Sequence, residues 1–303
     1  MVWIKGIYKL DFENLKGKIF YKNKFIPFKK AKIGVMNHSL HFSASVFEGI
    51  GVYNGKPLFN LDHLKRFLVS AKLIKLNCNY SLYQLENIIL KLIRLNKLKN
   101  GYIRPILFRS SNSMSPDTTK CKSILAIASW EWPKLFNKKN GISLTLSKYP
   151  RLEKKIYPIE AKSSGSYQTS VISRIDANKK KFDDCLMLDQ FKNIAETSAC
   201  NIFWIKNDVV FTSKTHSILS GITRQSIIRI CKKRRIKIKT GNFKLKNLLS
   251  SDYVFVTGTA AEIQVVRKIQ KKKYSINSSI INILKKEYDN CKSLGIRSVY
   301  SIK

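Results

Sequence analysis

The stretch Ala161-Lys162-Ser163-Ser164-Gly165-Ser166-Tyr167 decides how this 303-residue chain is read. One lysine stands among small side chains that give it little steric cover, a few residues after the aromatic–proline pair Tyr157-Pro158. A lysine so placed can project its amine into a cavity and act as a nucleophile toward a carbonyl. Taken alone, the pattern fits a surface lysine equally well, because the chain holds 57 Lys and Arg together. What accompanies Lys162 along the sequence has to decide.

Downstream, Glu196 follows the strand-turn Leu188-Asp189-x-x-x-Asn193 and precedes the apolar run Asn201-Ile202-Phe203-Trp204-Ile205. An acid there can pair with a pyridinium nitrogen and keep it protonated, or it closes an ordinary salt bridge at a turn. Gly221-Ile222-Thr223-Arg224 opens a helix read to Lys233. Free N–H groups and the dipole at that end suit a phosphate, although Thr223 serves equally well as an N-cap. Gly258-Thr259-Ala260-Ala261-Glu262 is a second strand-to-turn of small residues, where backbone amides can meet an anion.

Around these motifs the chain reads as α+β. Gly17 to Phe28 forms a hairpin with Lys22-Asn23-Lys24 at its tip, and Asn54-Gly55 joins a strand from Val46 to Tyr53 to one from Pro57 to Phe59. Helical spacing covers His63 to Ile74 and Leu82 to Leu95, followed by strands Tyr102 to Arg109 and Ser123 to Trp130. The segment from Pro133 through Gly141 is polar, basic and aperiodic; it gives a linker at 134–141 between domains 1–133 and 142–303. The second domain alternates strands (Ile142 to Leu146, Cys185 to Asp189, Asn201 to Ile205, Val209 to Thr212, Tyr253 to Val256) with helices at Thr169 to Lys181, Thr223 to Lys233 and Ser279 to Ser293.

Composition bounds the function. The net charge of +38 motivates a nucleic-acid or anionic-membrane partner. The basic residues are spread along the whole chain, however, and runs such as Lys271-Lys272-Lys273 read as solvated faces. No apolar run is long enough to span a bilayer, and the start, Met-Val-Trp-Ile-Lys, is unlike a signal peptide, so the expectation is a cytoplasmic protein with no membrane partner. The six cysteines have no Cys-x-x-Cys spacing and the four histidines are scattered, so no metal is expected.

The order and spacing of these motifs resemble the fold type IV enzymes that use pyridoxal 5'-phosphate (PLP), and most closely the branched-chain amino acid aminotransferases. The segments His38-Ser39-Leu40-His41-Phe42, Ser45-Val46-Phe47-Glu48-Gly49-Ile50, Tyr102-Ile103-Arg104-Pro105, Ala161 through Tyr167, Glu196 to Phe203, Leu219 through Arg224 and Gly258 to Glu262 all recur there. The resemblance runs from about Trp3 to Arg267. It implies a smaller N-terminal α/β domain, a larger C-terminal β-barrel-like domain and a cofactor between them. It also implies reversible transfer of the amino group of L-leucine, L-isoleucine and L-valine to 2-oxoglutarate.

Residue roles follow from the same resemblance. Lys162 carries PLP as a Schiff base and shuttles the proton at the substrate Cα. Glu196 pairs with the pyridine nitrogen, Tyr167 with the ring oxygen, and Leu219 packs on the ring face. Arg66, with Ile222, Thr223 and Thr259, holds the phosphate. Phe47, Gly49, Tyr102, Arg104, Met114, Trp130 and Ala260 line the substrate site: Phe47, Met114 and Trp130 as its apolar pocket, Arg104 as the partner of glutamate's distal carboxylate. A homodimer is implied, with residues around Phe42 and Met114 reaching the neighbouring subunit's pocket. Phe42 departs from the family's usual Tyr, and Ser220 from the usual proline before Gly221. A D-amino acid aminotransferase or an aminodeoxychorismate lyase shares the fold; the Ser45-to-Gly49 and Tyr102-to-Arg104 segments argue against both. A basic nucleic-acid-binding protein is the alternative from another class.

Overall fold

Three two-residue turns show how local chemistry sets the strands. Lys22-Asn23, Asn54-Gly55 and Asn207-Asp208 all have positive φ, the geometry that matches strand twist in tight hairpins. They join the pairs Tyr21↔Lys24, Tyr53↔Lys56 and Lys206↔Val209. The structure is a computed structural model that describes every residue except 1, 5–6, 10, 13–14, 133–134, 137, 215 and 303; of 2–4 and 7–9 it describes the backbone. Of the expected linker, positions 134 and 137 therefore lie outside the described residues, as does Pro133 before it.

The chain divides into two compact units: Met1–Asn137 with Ala161–Gly165, and Lys138–Glu160 with Ser166–Lys303. In the first unit β1 (Val2–Ile4) and β2 (Ile7–Lys9) pair with each other. Then come β3 (Lys18–Tyr21), β4 (Lys24–Pro27), α1 (His38–Phe42), β5 (Ser45–Phe47), β6 (Ile50–Tyr53), β7 (Lys56–Pro57), α2 (Asn60–Leu73), α3 (Leu82–Leu95), β8 (Gly101–Arg109) and β9 (Ser123–Trp130). The main sheet runs β4-β3-β9-β8-β6-β7, with β5 also on β8. The strand expected from Val46 to Tyr53 is interrupted at Glu48-Gly49 without losing its register on β8 (Phe47↔Ile106, Ile50↔Ile103): the Glu48 N–H donates to the Pro105 carbonyl at 2.9 Å, but Pro105 has no N–H to return the bond. Phe59 is the left-handed N-cap of α2 rather than part of a strand, so the helix starts at Asn60 and not at His63. Leu85, Ile89 and Leu92 of α3 and Leu64 and Phe67 of α2 pack on Val46, Val52, Ile103, Leu107 and Leu125 of the sheet. Alternation along β8 then turns Tyr102 and Arg104 to the opposite face.

The second unit contains β10 (Ile142–Leu146), α4 (Gln168–Lys179), β11 (Asp184–Leu188), β12 (Ile194–Thr197), β13 (Asn201–Lys206), β14 (Val209–Ser213), α5 (Ile222–Lys233), β15 (Ile238–Gly241), α6 (Leu245–Leu249), β16 (Tyr253–Gly258), β17 (Glu262–Ile269), β18 (Lys272–Lys273) and α7 (Ser279–Leu294). The ladder β12-β11-β10-β17-β16-β13 closes on itself, since β13 also pairs with β12. This six-strand closed sheet is the barrel that the resemblance implies, and closure removes the exposed edges of those strands. The closing pair is Glu196↔Asn201. Strands β1, β2, β12, β15, β17 and β18 and the short helices α1 and α6 had no counterpart in the sequence reading. Most are five residues or shorter, too short for a periodic signal, whereas β17 (Glu-Ile-Gln-Val-Val-Arg-Lys-Ile) mixes charged and apolar residues without the strict alternation of a half-buried strand.

Candidate active site

In the first unit the Ala161-Lys162-Ser163 backbone is tied down on two sides. Phe47 N–H donates to the Lys162 carbonyl at 3.0 Å, and Val46 bridges Ser163. The Lys162 N–H donates to Ser70 Oγ of α2 at 2.9 Å, while Ser164 Oγ meets Ser45 Oγ at 3.0 Å. The lysine therefore leaves an immobilised backbone, and its Nζ lies 4.7 Å from the centroid of the Phe47 ring. The Arg104 guanidinium lies 4.9 Å from that same ring and 5.4 Å from the Tyr102 ring. Arg104 Nε and Trp130 Nε1 are buried without a hydrogen-bond partner, two donors that a ligand can satisfy. Gly49 leaves room where a Cβ would stand 1.7 Å from Tyr102 Oη, and Tyr102 packs on Trp130 and Trp132. Phe47, Gly49, Tyr102, Arg104 and Trp130 are thus linked through direct packing. Met114 stands apart on the loop between β8 and β9, 41% exposed.

Arg66 is already engaged within this unit. Its Nε donates to Glu48 Oε1 at 2.6 Å and its Nη2 to Glu48 Oε2 at 2.9 Å, and His63 Nδ1 meets Oε2 at 2.8 Å. Glu48 has no exposed surface. Burial alone would push its carboxyl up, but Arg66 and then His63 overcome this and hold it far below the usual 4.5. Burial also draws His63 below its usual 6.5, against the pull of Glu48. A forked pair of this kind fixes the guanidinium plane.

In the second unit Glu196, on β12, is 5% exposed and held at both oxygens. Arg151 Nε donates to Oε1 at 2.7 Å, Asn201 Nδ2 to Oε2 at 3.0 Å, and the Leu219 N–H reaches Oε1 at 3.4 Å. Asn201 Nδ2 also donates to the Leu219 carbonyl at 2.9 Å. Tyr167, the N-cap of α4, has its ring centroid 5.9 Å from the Arg151 guanidinium. Ile222 and Thr223 open the 12-residue α5, whose N-cap is Gly221 and receives no side-chain cap. Thr223 is therefore in the first turn and not a cap, and the helix offers unclaimed N–H groups to an anion. Thr259 and Ala260 lie in the turn between β16 and β17, partly exposed.

The sequence reading did not single out Arg151, Asn201 or His63, and it quoted Glu48 only within a motif. A buried arginine leaves no mark in a chain this rich in basic residues. Only the Glu196-to-Asn201 spacing, five residues across a tight turn, hints at a partner.

Comparison with known proteins places these features. The family model for class IV amino-transferases matches residues 45–269. The chain is 33% identical over 280 residues to a probable branched-chain-amino-acid aminotransferase of Rickettsia bellii, spanning 91% of this chain and 96% of that one. Among solved structures, the Escherichia coli branched-chain amino acid aminotransferase aligns with a TM-score of 0.88 at 28% identity, over 91% of this chain and 94% of that one. The branched-chain amino acid aminotransferase of T.th., complexed with N-(5'-phosphopyridoxyl)-L-glutamate, aligns with a TM-score of 0.87 at 28% identity, over 92% and 95%.

Proposed function

Because the chain belongs to the class IV aminotransferase family, we propose that it transfers the amino group of L-leucine, L-isoleucine or L-valine to 2-oxoglutarate, reversibly, as a branched-chain amino acid aminotransferase. Its cofactor is pyridoxal 5'-phosphate. When bound, that group supplies an electrophilic carbon for amines and a ring that withdraws electrons from the bond being broken.

The donor set fits such a group. Glu196, buried beside Arg151, suits a protonated ring nitrogen, and the uncapped start of α5 suits a phosphate. Lys162 would hold the cofactor covalently and Arg66 would grip its phosphate. Glu196 would meet the ring nitrogen, Tyr167 the ring oxygen and Leu219 the ring face, with Ile222, Thr223 and Thr259 on the phosphate. Lys162 Nζ would act as the base that carries the proton from the substrate Cα to the cofactor in one half-reaction and from the cofactor to the new Cα in the other.

One observation carries the substrate reading: the Phe47 ring has Lys162 Nζ at 4.7 Å and Arg104 at 4.9 Å. An apolar ring beside the nucleophile accepts a branched side chain. The arginine, with its buried Nε unpaired, accepts the distal carboxylate when glutamate occupies the site. Gly49, Tyr102 and Trp130 would close the pocket walls, with Ala260 from the β16–β17 turn and Met114 at the rim. In the test, protein loaded with PLP receives L-leucine, L-isoleucine, L-valine or D-alanine, followed by 2-oxoglutarate, while the visible absorbance is followed. The three L-amino acids should discharge the band and 2-oxoglutarate restore it; Lys162→Ala should lack the band and the turnover. No turnover of any branched L-amino acid would sink the reading.

We further propose a cytoplasmic homodimer. Val35, Met36, Leu40 and Phe42 are exposed around α1, and His38 Nε2 meets the Ser115 carbonyl at 3.1 Å, which joins α1 to the Met114 loop in one apolar patch. A second copy covering Phe42 and Met114 fits that patch. Sedimentation should give twice the mass of the 34.9 kDa chain.

A further inference from the structure

Glu196 is a buried carboxylate, and a buried charge needs a counter-charge and hydrogen bonds to offset its desolvation. Arg151 provides both, and it does more than pair. The residue is 6% exposed, and its Nε is spent on Glu196 Oε1 at 2.7 Å. Its Nη1 reaches the Ser166 carbonyl at 2.7 Å and Ser170 Oγ at 3.3 Å. Ser166 directly precedes Tyr167, whose ring lies 5.9 Å from the guanidinium, and Ser170 lies in the first turn of α4.

We propose that Arg151 is a positioning residue that locks Glu196 and the Ser166–Tyr167 backbone into one register through a single planar guanidinium. Resting on the reading that Glu196 meets the cofactor's ring nitrogen and Tyr167 its ring oxygen, it sets the distance between those two groups before the ring arrives. A lysine cannot replace it, because one ammonium on a flexible stem lacks the fork that serves two acceptors at fixed angles. The charges around Glu196 agree with this division of labour. Burial works against the charge on Arg151, yet Glu196 and then Tyr167 overcome it and hold the guanidinium above its usual range. Arg224, the other arginine that feels Glu196, is drawn down by burial to about 10 and spends its Nη2 on the Ser213 carbonyl at 2.8 Å. Cys200, beside the seam, is pushed up by burial and stays a neutral thiol. Arg151 is therefore the cation in hydrogen-bond contact with the Glu196 carboxylate.

The test compares wild type, Arg151→Lys, Arg151→Met and the double variant Arg151→Met with Glu196→Gln, each as full-length protein. Three quantities are read: the PLP dissociation constant by fluorescence titration, the pH midpoint of the visible band, and thermal stability without cofactor. Arg151→Met leaves Glu196 buried without its cation and should lose stability; the double variant removes both charges and should regain most of it. Both single variants should bind PLP about 10- to 100-fold more weakly, the range found when hydrogen-bonded support behind a binding group is lost, and should shift the midpoint. Arg151→Lys, which keeps the charge, separates fork from charge: a lysine variant with wild-type affinity and midpoint overturns the proposal. So does a double variant that recovers stability and also wild-type PLP affinity. A wild type that binds no PLP overturns the functional reading as well, so the two failures are told apart.

Discussion

At the scale of single residues, two positions report on the site through different physics. Gly49 is required by space: its Cβ position lies 1.7 Å from Tyr102 Oη, so Gly49→Ala must push the ring aside. We expect kcat/KM for L-leucine to fall on the order of 100-fold, the effect of about 1 Å of misplacement, with thermal stability little changed; steady-state kinetics check this. Glu48 is required by charge. Its folded-state carboxyl lies below the usual 4.5 and the buried His63 below 6.5, so the unfolded chain binds more protons at both. The stability they contribute is present above pH 6.5. It starts to fall as His63 takes up a proton and becomes charged in the unfolded chain, and falls further below pH 4.5 as Glu48 takes up a proton there and is neutralised, by about 1.4 kcal/mol per pH unit per proton. Glu48→Gln should flatten the lower part of that loss in denaturant titrations run from pH 7 to pH 3.

At the scale of elements, α3 shows how much a local motif contributes. Ser81 accepts from the Gln84 N–H at 3.2 Å and the Gln84 side chain accepts from the Ser81 N–H at 2.8 Å, a capping box legible in Ser81-Leu82-Tyr83-Gln84. Ser81→Ala should cost about 1 kcal/mol. Ile89→Ala, on the face of α3 that meets the sheet, should cost about 2–5 kcal/mol because it opens a cavity in a closed core. Urea titration separates the two, and equal losses would contradict this account. The barrel seam is the opposite case. It rests on the single pair Glu196↔Asn201, where the side chains bond each other as well as the backbones. The element that closes the barrel thus carries the carboxylate proposed to meet the cofactor's ring nitrogen.

At the scale of the whole molecule, the +38 charge has no counterpart in the site beyond a field that favours anionic oxo acids and PLP. If it served nucleic-acid binding, retention on DNA would weaken with salt at a log–log slope of about −0.9 per phosphate contact. We expect no retention at physiological salt, measured by gel shift across a salt series. Among the described residues no group of His, Cys, Asp and Glu could hold a metal ion, and no helix is long and apolar enough to cross a membrane. Burial pushes Cys185 and Cys231 up to about 12 each, which leaves them poor nucleophiles.

The sequence by itself determined the family, the order of the motifs and most of the longer helices and strands, and it nominated Lys162, Glu196 and Arg104 through the family resemblance, because periodicity, turn chemistry and motif spacing are local. Only the tertiary structure decided that Ala161–Gly165 packs with the first unit, where Ser164 meets Ser45, that Glu48 spends both oxygens on Arg66, and that Arg151 ties Glu196 to Ser166. Those pairings join residues 15 to 119 positions apart, and the ionic ones are selected because either charge buried without its partner would cost several kcal/mol, on the order of 3–5. A basic residue bound to an acid inside the fold has the same letter as one in solvent, so Lys162 could be found by its company while the arginine behind Glu196 could not.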